Sequence, residues 1–325
     1  METIIGDSEK DIRRAATLLH EGGLVAFPTE TVYGLGGNAL DKAAAKKIYE
    51  VKGRPSDNPL IVHLLSWEDV GKVALPTKEA KALYDAFCPG PLTMILQKLP
   101  CVPDETTGGR ATVALRFPSH PVARKLLELA GVPIAAPSAN VSKHVSPTSA
   151  RHVYDDLKGK IPLILEGGAS QVGIESTIVD LTGGSPTVLR PGAVTKEEIA
   201  AVLGEARNYV GKVEEALAPG MKYKHYSPSV PCSLVKKEAL KDAYRRLTEE
   251  GKKVAVLARE SEAASFPKED FLSLGSTPQE TQRNVYAALR EAERHDVAII
   301  EDLSDEYAFF TAMDRIKKAT GGSTL

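Results

Sequence analysis

Lys52 and Arg54 stand within ten residues, VKGRPSDNPL (51–60), flanked by Gly53 and Pro55, between an expected helix and an expected strand. Cations on a solvated helix face need no special reason, whereas cations held at a stiff turn suggest an anion to be held. The macrodipole of the preceding helix also suits Lys46, Lys47 and Lys52 near its C-terminus, but not Arg54, which lies beyond that end. Three more clusters carry polar groups in positions that do not read as core. PTETVYGLGGNA (28–39) follows a strand and mixes hydroxyls with glycines. It reads equally as a strand-to-helix loop whose glycines permit positive φ. In APSANVSKHVSPTSA (136–150), Thr148 or Ser149 can cap the next helix, while Ser138 and Asn140 come too early to do so. LEGGASQVGIESTIVDL and VLRPG bring close-approach glycines at 167, 168 and 173, Ser176-Thr177 at a strand start, and Arg190 before Pro191-Gly192. Taken singly, Arg190 reads as a surface cation. His63 in an apolar strand reads as a satisfied core group as readily as a ligand.

Together these guanidinium, ammonium, hydroxyl and backbone N–H groups suit a polyphosphate. Several fall at strand ends, where ligands bind in open α/β sheets. There is no G-x-x-x-x-G-K-[ST], no kinase signature, no G-x-S-x-G and no carboxylate pair that marks a metal site. The residues by themselves therefore lead to a nucleotide or phosphate site in an atypical α/β fold.

The elements that must position these groups alternate along the first two hundred residues. A helix over 8–20 is capped by Ser8 with Asp11 and ended by Gly22-Gly23. Strands follow at GLVAFPT, PLIVHLL, PLTMILQKL, ATVALRF, VPIAAPS, IPLILEGG, ESTIVDL and PTVLRPG. Helices lie at DKAAAKKIYEVKG, TKEAKALYDAFCPG, HPVARKLLELAG, near 148–158, and at TKEEIAAVLG. The late run of close strands predicts a mixed α/β sheet. This gives a first domain over 1–205. Residues 206–231, rich in Pro, Lys and Tyr around APGMKYKHYSPSVPC, read as an extended linker. Residues 232–325 repeat strand and helix as a small Rossmann-like α/β unit without a G-x-G-x-x-G turn.

At 325 residues, 42% hydrophobic and 26% charged, the chain has an ordinary globular composition. A formal charge of -2 supplies no global field for nucleic acid, so any anion site is local. Cys88, Cys101 and Cys232 show neither metal-ligand spacing nor a disulfide framework, which suits a cytoplasmic location. The N-terminus lacks a signal-peptide pattern and no apolar run approaches membrane-spanning length.

The ordered set PTETVYGLG, KGRP…NPL, CPGPLT, LRFPSHP, PSAN.S…SPT, ESTIVD and LRPG resembles the YrdC-like family over essentially the whole chain. The YKHYSP linker and small α/β tail resemble its long, two-domain form, the threonylcarbamoyl-AMP synthases. The resemblance implies a YrdC-like twisted mixed sheet that forms threonylcarbamoyl-AMP and pyrophosphate from L-threonine, bicarbonate or CO2, and ATP. The product then goes to a transferase complex that modifies tRNA. The resemblance implies a Lys52, Arg54, Ser138 and Asn140 quartet around the phosphates. It places Arg54, Asn58, Thr112, Ser138, Ser146, Arg190 and Tyr226 on ATP. It places Thr31, His63, Arg116, the backbone at Ala136, and Ser176 on threonine, with Arg116 on the carboxylate. Mg2+ is expected through the ATP phosphates and not in a protein cage. Because Tyr226 lies in the linker, residues 219–228 are expected to close over the nucleotide as a lid; the alternative is a solvated tether.

Three other readings stay open. One is a module that binds tRNA directly, disfavoured by the acidic balance. Another is a carbamoyl-adenylate activity of the kind found in hydrogenase maturation, disfavoured by the lack of zinc-finger cysteine pairs. The third is a shorter homologue of unsettled function, disfavoured by the second domain.

Overall fold

A computed structural model describes residues 1–210, 218–219 and 226–325, and divides the chain into two compact units. The first comprises Met1–Ser142, Pro147–Gln171 and Glu175–Tyr223. Its strands are β1 (Ile4–Gly6), β2 (Val25–Phe27), β3 (Gly34–Asn38), β4 (Ile61–His63), β5 (Leu92–Gln97) and β6 (Thr112–Arg116). They continue with β7 (Ile134–Ala135), β8 (Leu163–Leu165), β9 (Thr177–Asp180), β10 (Thr187–Arg190) and β11 (Arg207–Asn208). Their order is β1-β8-β2-β3-β7-β4-β6-β5-β9-β10-β11. Pairs such as β4–β6 and β5–β9 are parallel, while β3–β7, β4–β7 and β5–β6 are antiparallel. The sheet is therefore mixed, as the late strand cluster predicts.

Alternation along β2 explains why both faces are covered. Ala26 joins Leu35, Val62, Met94 and Leu115 in one core. Val25 and Phe27 join Ile134 and Leu163 on the other, under the helices Glu9–His20 and Pro121–Ala130. The first of these helices starts at a capping box between Ser8 and Asp11, as expected. The helix Lys42–Lys52 is capped by Asp41, whose side chain accepts from the Ala43 N–H. It ends where Gly53 turns left-handed at φ 61°. That turn fixes where Lys52 and Arg54 leave the helix.

Two sequence expectations change. The glycines of 34–37 do not serve a loop with positive φ; they form β3, and their role is space. A Cβ on Gly36 would lie 2.8 Å from Ile134 Cγ2 and from Phe27 Cε1. The stretch read as linker from 206 begins as structure of the first unit: Arg207 and Asn208 pair in parallel with Thr187 and Val188. Ala218 is also buried, packed with Ile61, Ile95, Ala114, Ile178 and Leu189.

The second unit comprises Lys143–Ser146, Val172–Ile174 and Lys224–Leu325. Four parallel strands, β12 (Cys232–Val235), β13 (Val254–Ala258), β14 (Phe271–Ser273) and β15 (Val297–Glu301), lie in the order β12-β15-β13-β14. The helices Leu240–Glu249, Pro278–Glu291 and Phe310–Thr320 complete the α/β unit. Val235, Leu240, Val254, Val256 and Ile299 form its core. Among the described residues, no helix is long and apolar enough to cross a membrane.

Candidate active site

Lys52 is the last residue of its helix and is 2% exposed. Its ammonium donates to the carbonyl of Ser138 at 2.5 Å, to the carbonyl of Asn140, and to Asn140 Oδ1 at 3.4 Å. The Lys52 carbonyl in turn accepts from the Ser142 N–H at 2.8 Å. A cation read as an anion holder therefore also pins the segment 138–142. Around the turn, Arg54 Nε donates to the Asn58 carbonyl at 3.1 Å and Nη2 to the Pro59 carbonyl at 3.0 Å. Asn58 is buried and its Oδ1 has no hydrogen-bond partner. The structure thus brings Lys52, Ser138 and Asn140 together, and joins Arg54 to Asn58. The loops 28–33 and 136–140 are zipped to each other, Ala139 N–H donating to Tyr33 O and Leu35 N–H to Pro137 O.

Strand register builds the second half. His63 is paired with Arg116 on β6, and Thr93 on β5 faces Arg116 from the other side. Three polar side chains thus stand in one row across three neighbouring strands. Arg116 Nη2 donates to Glu30 Oε1 at 2.9 Å and to Thr29 Oγ1 at 3.3 Å. Arg116 Nε is buried without an acceptor. Burial alone would raise the Glu30 pKa. The charge and hydrogen bond of Arg116 outweigh it and hold the carboxyl below its usual range.

His63 is pushed down to about 3, first by burial and then by the Arg116 charge, so its imidazole is neutral. Its Nδ1 faces the carbonyls of Ile61 and Ile134 at 3.1 and 3.3 Å. Carbonyls only accept, so Nδ1 carries the proton and Nε2 presents a lone pair. Thr31 Oγ1 meets Thr29 Oγ1 at 2.9 Å. The Ala136 N–H is spent on Ile61 O at 2.8 Å, which leaves its carbonyl as the group that position can offer. Burial pushes the Cys88 thiol up to about 12, which keeps it protonated.

Ser176 and Arg190 are joined. Arg190 Nε donates to Ser176 O at 3.0 Å, Nη2 to Ser176 Oγ at 3.1 Å and Nη1 to Pro219 O at 3.2 Å. Ser176 Oγ also meets Thr93 Oγ1 at 2.7 Å. Arg190 is 3% exposed, which corrects its reading as a surface cation. Thr112 opens β6 opposite Gln97. Ser146 and Tyr226 are grouped with the second unit. There Tyr226 is buried with φ 62°, stacked on Tyr286 at 5.3 Å and under the Arg315 guanidinium at 5.7 Å. Much of the expected lid lies outside the described residues; of 219–228, Pro219 and 226–228 are described.

Sequence reasoning missed Thr29, Glu30 and Thr93. A signal for Thr93 was present: in PLTMILQ it alternates out of phase with Leu92, Met94 and Leu96. Glu30 was legible only as an acid inside a loop taken for its hydroxyls.

The family described as telomere recombination, which groups Sua5, YciO and YrdC, matches residues 17–192. A threonylcarbamoyl-AMP synthase C-terminal domain matches residues 194–321. A threonylcarbamoyl-AMP synthase of Pyrococcus abyssi is 46% identical over 96% of this chain and 95% of its own. One of Bacillus subtilis is 42% identical over 99% and 96%. The crystal structure of P. abyssi Sua5 complexed with L-threonine superposes with a TM-score of 0.92 at 44% identity, covering 100% of this chain and 98% of that one.

Proposed function

The chain belongs to the Sua5–YciO–YrdC family in its two-domain, threonylcarbamoyl-AMP synthase form, and from that premise we propose how its residues carry the reaction. Its activity is synthesis of threonylcarbamoyl-AMP. The threonine amine adds to CO2, forming the N–C bond of a carbamate as a proton leaves nitrogen. A carbamate oxygen then attacks the α-phosphorus of ATP, and the bond to the β-phosphoryl oxygen breaks to release pyrophosphate. The enzyme is in this reading a nucleotidyltransferase that brings two anions together, so fixed cations and donors must offset their repulsion.

One observation carries the assignment. In the first unit, among the described residues, two buried side-chain polar atoms are left without partners, Asn58 Oδ1 and Arg116 Nε. A buried unpaired polar atom costs about 1–3 kcal/mol, so it points to a ligand that completes it. One atom lies in the proposed nucleotide half and one in the proposed threonine half. In the first half Arg54, Asn58, Thr112, Ser138, Asn140 and Arg190 hold ATP. Lys52 fixes the 138–142 segment and adds its charge near the phosphates. In the second half Arg116 takes the threonine carboxylate. Thr31, neutral His63, Ser176 and the Ala136 carbonyl orient the amine and hydroxyl. The Ala136 carbonyl and the His63 Nε2 lone pair are acceptors, as an amine requires.

Mg2+ enters this reading as the ATP complex. Among the described residues no group of three His, Cys, Asp or Glu gathers to hold a metal. Its ligands would be phosphate oxygens and water, and its charge would offset that of the phosphates. The product goes to the tRNA threonylcarbamoyl transferase complex.

The test is pyrophosphate release from ATP and Mg2+ with bicarbonate, with and without L-threonine, beside a Lys52→Ala/Arg54→Ala variant. Release that needs both threonine and bicarbonate, and is lost in the variant, is expected. No threonine-dependent release from folded protein would sink the assignment and turn it to a carbamoyl phosphate donor, then to tRNA binding.

A further inference from the structure

Glu30 stands outside the set assigned to either substrate, yet it is as buried as Arg116, each being 4% exposed. Burying two charges together is weak support for a fold, because neutral groups of the same volume serve stability as well or better. The pair therefore needs another reason. Glu30 is held at both oxygens, Oε1 by Arg116 and Oε2 by the Ser119 N–H at 3.1 Å. It thus bridges the end of β6 to the turn that follows. Thr29 supports the same grip. Its hydroxyl hydrogen goes to Val32 O at 2.6 Å, so its oxygen accepts from Arg116. Nη2 is fixed by these two acceptors while Nε stays buried without one. The neighbours in register, His63 and Thr93, bring no negative charge to compete for the guanidinium.

We propose that Glu30 is a positioning residue, which holds the Arg116 guanidinium in the orientation that receives the carboxylate of threonine. The proposal rests on the reading of Arg116 as the carboxylate partner. A carboxylate suits the task and an amide does not. Glutamine would have to turn its NH2 toward either Arg116 or the Ser119 N–H, donor against donor, and lose one side of the grip.

The test compares wild type with Glu30→Gln, which is near-isosteric, and Arg116→Gln, which removes the guanidinium, in the full chain. Calorimetric titration with L-threonine and with L-threoninamide, which lacks the carboxylate, gives a preference ratio. Pyrophosphate release gives KM for threonine and for ATP, and thermal melting checks the fold. Wild type is expected to prefer threonine, and Arg116→Gln to lose that preference. Glu30→Gln should cut the preference about tenfold or more and raise the threonine KM to match, with the ATP KM within about twofold. If Arg116→Gln loses the preference and Glu30→Gln keeps it, Glu30 is only structural and the proposal falls while the Arg116 reading stands. If Arg116→Gln keeps it, the carboxylate is held elsewhere and both fall. If Glu30→Gln raises both KM values alike and lowers the melting temperature, the effect is general destabilisation and the proposal is overturned.

Discussion

At the scale of the residue, the two cations of the opening corner separate. Lys52 is buried and donates to two backbone carbonyls and one side-chain oxygen of the 138–140 segment. Arg54 is half-buried at the turn beyond it. Removing Lys52 strands buried acceptors, at about 1–3 kcal/mol for such a group. Lys52→Met should therefore lower the thermal midpoint and the activity together. Arg54→Ala loses the hydrogen bonds to the Asn58 and Pro59 carbonyls of a more accessible group, about 1 kcal/mol net each. It should reduce activity far more than stability, and melts of the two variants beside their turnover separate the roles.

His63 gives a second prediction at this scale. Its folded pKa, about 3, lies below the unfolded value near 6.5. Between those values the unfolded chain binds the proton and the folded chain does not, so stability falls as pH falls through that window. His63→Gln should flatten the loss between pH 6 and 4 by about one proton, roughly 1.4 kcal/mol per pH unit. Urea melts across that range check it. Equal slopes in the two proteins would mean that the imidazole is not held neutral.

At the scale of the element, legibility follows periodicity. The helices 9–20, 42–52 and 121–130 announce themselves by apolar spacing and caps, and β2, β5 and β6 by apolar residues between breakers. β3 does not, because GLGGN holds no β-branched or aromatic residue. It is a strand because β2 and β7 flank it, and Phe27 and Ile134 on them leave no room for a side chain at Gly36. β11 is two residues long and is likewise set by its partner. The candidate site was legible at residues that stand at corners between elements. It was illegible where register did the work, since nothing local pairs Thr93 with Arg116. Gly36→Ala tests β3 as a packed strand. The added Cβ collides with Ile134 and Phe27, and overpacking of this kind costs roughly 1–3 kcal/mol. Gly192 is stricter, since a Cβ there would lie 2.3 Å from the Thr177 backbone nitrogen, an atom that cannot swing aside. Gly192→Ala should displace the strand start that carries Ser176 and lower turnover by more than its thermal midpoint suggests.

At the scale of the whole molecule, the question is whether this chain meets tRNA itself or only feeds an enzyme that does. Its 41 Lys and Arg against 43 Asp and Glu leave a formal charge of -2. Of the four cations proposed for the chemistry, three are turned inward: Lys52, Arg116 and Arg190 are 2%, 4% and 3% exposed, while Arg54 is half-buried. An RNA backbone outside the fold cannot reach such groups, and a protein that neutralises few phosphates releases few counterions. Each phosphate contact contributes about -0.7 to -0.9 to the slope of log affinity against log salt. Anisotropy titrations of labelled tRNA between 50 and 200 mM salt should therefore give a shallow slope, equivalent to about two phosphates or fewer. Added tRNA should leave threonine-dependent pyrophosphate release unchanged, because the adenylate forms before any RNA is needed. A slope matching six or more phosphates, or turnover that rises with tRNA, would place an RNA surface on this chain and make the direct-binding reading the better one.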